Sequence, residues 1–191
     1  MADLLTELFS SKIRAAVLGY LLPRPHLSRS LTDLSRLLGL PISSLQHECY
    51  KLVRIGVLRD WRDGNARRYS PEVSSPLLPA LAELVRSAIG RDASLQAALD
   101  DMPAVESAFL VEGVPPRLVL VGDLPLDELD AALERVAAAL SLPSDRVELA
   151  FFRPADWRSR LAASDPYLTT LLQQSLLLLV GDIGAQSTPD M

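Results

Sequence analysis

The sequence predicts an α+β protein in two parts: an N-terminal group of helices closed by a β-hairpin, then a C-terminal α/β layer on a small mixed sheet. Apolar residues recur at helical spacing as far as Gly56, after which the period changes to that of strands around Arg62-Asp63-Gly64-Asn65. Beyond Pro103, strand-like apolar runs alternate with helical stripes, the order expected of an α/β layer. Charge divides along the same line. Residues 1–75 hold eleven Lys or Arg against seven Asp or Glu, a net of +4, whereas residues 76–191 hold eight against seventeen, a net of −9. A basic first part joined to an acidic remainder points to a polyanionic partner for the first part alone.

From Leu4 to Leu22 the residues Leu5, Leu8, Ile13, Val17, Leu18 and Leu21 form a helical stripe that Pro23-Arg24-Pro25 ends. Ser30 and Asp33 stand as S-x-x-D, close to a capping box, before Leu31, Leu34, Leu37 and Leu38, and Gly39 with Pro41 stops that helix. The next helix runs from about Ile42 to Ile55, its buried side marked by Leu45, Cys49, Leu52 and Val53, with Gly56 at its C-terminal cap. Gly39-Leu40-Pro41 is a connection of helix-turn-helix length. Val57–Arg62 and Arg67–Ser70 read as strands around a turn whose Asp-Gly favours positive φ. Three helices followed by a hairpin describe a winged helix.

Ser75-Pro76 opens the next helical stripe, Leu77, Leu81, Leu84, Val85 and Ala88, which Gly90 interrupts; a second short helix covers 92–102. These two form a linker over 76–102, serving either as a dimer contact or as a surface that docks the domains together. In the domain over 103–184, Ser107–Val111, Arg117–Val121 and Arg146–Phe152 are strands, and Asp127–Leu140, Asp156–Ala163 and Pro166–Gln174 are helices. Leu176–Val180 is a short strand or the end of the preceding helix, and 185–191 is a disordered tail.

At 191 residues, 49% apolar and 23% charged, the chain has ordinary globular composition. A single cysteine, Cys49, forms no internal disulfide, and two distant histidines, His26 and His47, offer no metal-ligand spacing, so no cofactor or metal is expected. Cys49 falls on the apolar side of its helix without a second ligand nearby, which favours a small buried hydrophobe over a redox or metal sensor. No secretory leader pattern opens the chain, and the apolar run Leu176–Val180 is far short of the ~20 residues that span a bilayer, so a soluble cytoplasmic protein without a membrane partner is expected.

The segment Leu31–Pro71, with its short helix, G-L-P turn, second helix, L-x-x-x-G-V-L and basic R-R-Y hairpin, resembles the winged helix-turn-helix of ArsR-type bacterial regulators. The resemblance implies duplex DNA as partner. Ser43, Ser44, Gln46, His47 and Tyr50 would then meet bases or phosphates in the major groove, with Lys51 on the flank. Arg59, Arg62, Asn65, Arg67 and Arg68 on the wing would contact the backbone or the minor groove. The alternative for the wing is a solvated hairpin in which Asp60 and Asp63 pair with the arginines. Such regulators commonly act as homodimers, and a homodimer is expected here.

The order over about Ala104–Ile183 resembles the small nucleotidyltransferase-like domain carried by some ArsR-type regulators, through AFLVEG, RLVLVGDLPLDELDAALERV, RVELAFFRPADWRSRL and LLLLVGD. An active member would show Gly-Ser after its first strand, an Asp-x-Asp pair on the second to hold Mg²⁺, and a third carboxylate later. Here the first strand ends Glu112-Gly113, only Val114-Pro115-Pro116 precede Arg117, and no carboxylate occupies the Asp-x-Asp positions. Glu148 stands alone, and Asp123 lies in a turn beyond the strand. The domain is therefore expected to be a degenerate, non-catalytic one with a regulatory or assembly role, leaving room for a small-molecule effector. Two other readings stay open: a nucleotide-binding or nucleotidyltransferase enzyme of the toxin or antitoxin kind, and a winged helix that binds protein.

Overall fold

Ser10 adopts a left-handed φ of 51° and Ser11 an extended one, so the stripe expected to be one helix over 4–22 is broken into two. The Ser11 hydroxyl accepts from the Arg14 amide at 3.2 Å and starts the second helix afresh, the role serine favours at a helix N-terminus. The computed structural model describes residues 2–184, and the expected tail at 185–191 lies outside them. The protein is α+β and divides into two units, Met1–Ala97 and Ala98–Met191.

In the first unit, α1 (Ala2–Phe9) and α2 (Lys12–Leu21) precede β1 (Arg29–Ser30) and α3 (Leu31–Leu38). The capping box on α3 is complete: Ser30 Oγ accepts from the Asp33 amide at 3.1 Å, and Asp33 Oδ2 accepts from the Ser30 amide at 3.2 Å. Gly39, at φ 65°, turns the chain into α4 (Ile42–Arg54), a conformation that costs a side-chain-bearing residue energy. β2 (Leu58–Asp63) and β3 (Ala66–Pro71) pair antiparallel through the two-residue turn Gly64-Asn65. β1 adds a third strand by pairing Arg29 with Tyr69, which the sequence did not announce because two residues carry no period. The sheet order is β1-β3-β2.

α5 (Leu78–Ile89) starts later than Ser75-Pro76 suggests, with Pro79 in its first turn and the Ser75 carbonyl accepting from the Leu78 amide at 3.1 Å. It is not part of a separate linker. Ala82 and Val85 enter the same core as Leu18, Leu21, Leu34, Leu45, Cys49 and Leu52, and the boundary between units falls at the end of α6 (Arg91–Ala98). Fully buried leucines such as Leu34 and Leu45 each stabilise the unit by roughly 1.5–3 kcal/mol. That packing fixes α4 against α2 and α3. Because Val85 is wholly buried, the stripe Leu77, Leu81, Leu84, Val85 does not form a free face; only Leu77 and Leu84 of those four are exposed.

The second unit holds β4 (Val105–Val111), β5 (Arg117–Gly122), α7 (Leu126–Ala139), a 3₁₀ turn at Ser144–Arg146, β6 (Glu148–Phe152), α8 (Pro154–Ala162), α9 (Pro166–Leu172) and β7 (Leu176–Val180). Leu176–Val180 is thus a strand. The sheet order is β6-β5-β4-β7, with β5 and β6 parallel and the other neighbours antiparallel, so the sheet is mixed. One face gathers Phe109, Val111, Val119 and Val121 against Trp157, Leu168 and Leu171 of α8 and α9. Trp157 also donates its indole N–H to the Ile183 carbonyl at 3.2 Å, which places the polar end of a buried ring. Among the described residues no helix is long and apolar enough to cross a membrane.

Candidate nucleic-acid interface

Ser43, Gln46, His47 and Tyr50 stand at i, i+3, i+4 and i+7 of α4, and all four are exposed. The opposite side of the helix carries the buried Leu45, Cys49 and Leu52, which leaves this one to solvent. On the sheet, the register sets Asp60 opposite Tyr69 and Arg62 opposite Arg67, so these four share one face; Arg59 opposite Ser70 and Trp61 opposite Arg68 share the other. The helix side and the first sheet face meet. Ser43, Gln46, His47 and Tyr50 line one depression of about 300 Å³ with Arg67 and Tyr69.

The expected wing residues are therefore split by strand alternation. Arg67 pairs with Asp60 at 3.0 Å on the depression side, where Arg62 is exposed beside it. Two arginines directly opposite each other repel, and an anion between them would relieve the repulsion. On the reverse face, Arg59 lies over the Trp61 ring at 5.3 Å and donates to Ser70 Oγ at 2.9 Å. Arg68 pairs with Asp63 at 3.1 Å and approaches Asp33 at 3.9 Å. Asn65 is exposed in the hairpin turn. The aspartates that the solvated-hairpin alternative named do pair with arginines, each on its own face.

Ser44 is half-buried and does not line the depression. Lys51 is likewise turned elsewhere: its Nζ donates to Glu48 Oε1 at 3.0 Å, and Glu48 Oε2 accepts from Arg14 Nε of α2 at 3.0 Å. Burial alone would raise the Glu48 carboxyl, but the hydrogen bonds from Lys51 and Arg14 outweigh it and hold the group below its ordinary value of 4.5. Glu48 was missed in the sequence because a lone Glu in an amphipathic helix reads as solvated. Tyr69 was missed as a lining residue, although it lies two positions after Arg67, the strand period that returns a side chain to the same face. Burial, then the neighbouring Cys49, raise the Tyr69 phenol. Burial pushes the Cys49 thiol up to about 12, so it is neutral and behaves as a small apolar side chain.

In the second unit, Glu148 is matched with Arg117 across the parallel pair β5–β6, and Arg117 Nε donates to Glu148 Oε2 at 2.7 Å. Asp123 is exposed beyond the end of β5. Among the described residues no group of three His, Cys, Asp or Glu is placed to hold a metal ion.

No family model matches the chain, and no curated protein matches it. It is similar to a solved structure titled the crystal structure of M. tuberculosis Rv0081, at 28% identity over 47% of this chain and 85% of that one, with a TM-score of 0.35.

Proposed function

We propose that the chain is a DNA-binding transcription regulator of ArsR type, whose first unit is a winged helix with α4 as the recognition helix and β2–β3 as the wing. The observation that carries this reading is the convergence of Ser43, Gln46, His47 and Tyr50 with Arg67 in one open depression, beside the opposed pair Arg62–Arg67. Polar side chains on an exposed helix supply donors and acceptors for base edges, and arginines at its border supply phosphate contacts. In this reading Arg62 and Arg67 are the leading wing contacts. Ser44, Lys51, Arg59, Asn65 and Arg68 take flanking or supporting positions. The unit's net charge of +4 is kept when 76–97 are included, since Arg86 and Arg91 are offset by Glu83 and Asp92.

A homodimer belongs to the proposal, because one recognition helix reads too few base pairs to select a genomic site. α1 and α5 pack together, and Leu4 and Leu8 on α1, Leu84 on α5 and Leu77 just before α5 are exposed, which makes this the favoured contact. The second unit is proposed to be a degenerate nucleotidyltransferase-like domain with no transfer activity, supported by Arg117 standing beside its one candidate carboxylate. The deciding experiment is a titration of duplex fragments, selected from genomic DNA, with wild-type protein and the Arg62→Ala/Arg67→Ala double variant over a range of salt. Loss of two phosphate contacts should lower the slope of log K against log salt by about 1.8. An unchanged slope removes the wing assignment, and absence of salt-dependent binding in the wild type removes the DNA reading.

A further inference from the structure

On another side of α4 from the depression, a separate cavity of about 360 Å³ opens at the helix's C-terminal end. Its apolar wall comes from the buried Leu18, Leu52 and Val57 and from Phe9, Ile55 and Leu81, contributed by four helices and the start of the hairpin. Three cationic side chains complete the lining: Arg14, Lys51 and Arg54. No carboxylate lines it. Glu48, just outside, is shared between Arg14 and Lys51, so one negative charge faces three positive ones around an apolar volume. The volume falls within the about 300–1,000 Å³ typical of small-molecule sites, and an apolar wall with a few convergent polar groups is their usual composition.

We propose that this cavity binds a small carboxylate with an apolar body, the ring or chain against Phe9, Leu18 and Leu81 and the carboxylate between Arg54 and the Arg14–Lys51 pair. An uncharged apolar molecule would leave the excess positive charge uncompensated, and a multiply charged polar anion would waste the apolar wall. The site stands independently of DNA binding. Its internal competitor is Glu48, because a bound carboxylate takes up donors that Glu48 now uses, and the ligand and Glu48 therefore oppose one another at Arg14 and Lys51.

The test uses the full chain without DNA and 2-naphthoate as the probe, with the isosteric, neutral 2-naphthamide as control, each titrated by calorimetry. The wild type should bind naphthoate at least fivefold more tightly than naphthamide, the size of one exposed charge contact. Arg54→Gln, on the surface, should weaken naphthoate about fivefold and leave naphthamide unchanged. Glu48→Gln, which keeps an acceptor but removes the competing charge, should tighten naphthoate severalfold. Ile55→Trp, at a position more than half exposed, should weaken both probes by filling the mouth. Failure of the folded wild type to bind naphthoate at millimolar concentration overturns the proposal, as does binding indifferent to both Arg54→Gln and Ile55→Trp.

Discussion

Arg117 and Glu148 occupy matched positions on neighbouring parallel strands, and the guanidinium donates from Nε to Oε2 at 2.7 Å. Its hydrogen bond to Glu148, set against partial burial, holds the Arg117 guanidinium above its ordinary value, so Arg117 stays charged throughout the working pH range. In the proposed nucleotidyltransferase-like reading of this unit, a cation thus stands beside the one candidate carboxylate.

Calorimetry with each nucleoside triphosphate and Mg²⁺ is therefore expected to show no micromolar binding at this unit, and a labelled-nucleotide assay no transfer above background. Binding abolished by Glu148→Gln would reverse this reading. Because both side chains are substantially solvated, Glu148→Gln should cost only about 0.5 kcal/mol of stability, visible as a thermal shift of roughly 2–4 °C.

Asp60 holds Arg67 at 3.0 Å on the depression side of the hairpin. A phosphate must displace it. Asp60→Asn should tighten binding to every duplex about threefold at low salt and steepen the salt dependence, as measured by fluorescence anisotropy; weaker binding would mean that Asp60 orients Arg67 instead of competing for it.

Asp33 and Glu48 both titrate below their ordinary values, the first through hydrogen bonds from Ser30, the second because Lys51 and Arg14 outweigh burial. A carboxyl depressed in the folded state contributes stability that is fully present above its unfolded value and is lost as pH falls through the folded one. Stability should thus decline below about pH 4.5, and Glu48→Gln should flatten part of that decline in urea titrations made at successive pH values. An identical acid limb in the variant would exclude Glu48 as its source.

Ser30→Ala removes the acceptor for the Asp33 amide and breaks the capping box on α3. The expected cost is about 1 kcal/mol, a fall of roughly 4–8 °C in the Tm of the first unit by circular dichroism. Because Asp33 also approaches Arg68, the same change should loosen Arg68 without altering Arg62 or Arg67, which lie on the other sheet face.

At tens of micromolar concentration, light scattering should give the mass of a dimer, and Leu4→Gln/Leu8→Gln should give that of a monomer with an unchanged far-ultraviolet spectrum. A monomeric wild type refutes the dimer. A dimer that survives the double change moves the contact away from α1.

The helices, the hairpin and the strand–helix alternation were written in local patterns: apolar periodicity placed α3, α4 and α7, Ser30 with Asp33 placed a cap, and a two-residue turn placed the hairpin. Such signals act between residues a few positions apart, so the sequence alone displays them. It also located Ser43, Gln46, His47 and Tyr50 on the open side of one helix. Which wing residues join them depended on long-range register. Strand pairing put Arg62 and Arg67 with α4's exposed side and turned Arg59 and Arg68 away, and only packing of α5 into the first core removed Val85 from any free surface. Glu48 became a hub solely because α2 brings Arg14 to it from 34 positions away. Charge pairing and burial of this kind are properties of neighbours in space, and the fold alone decided which neighbours those are.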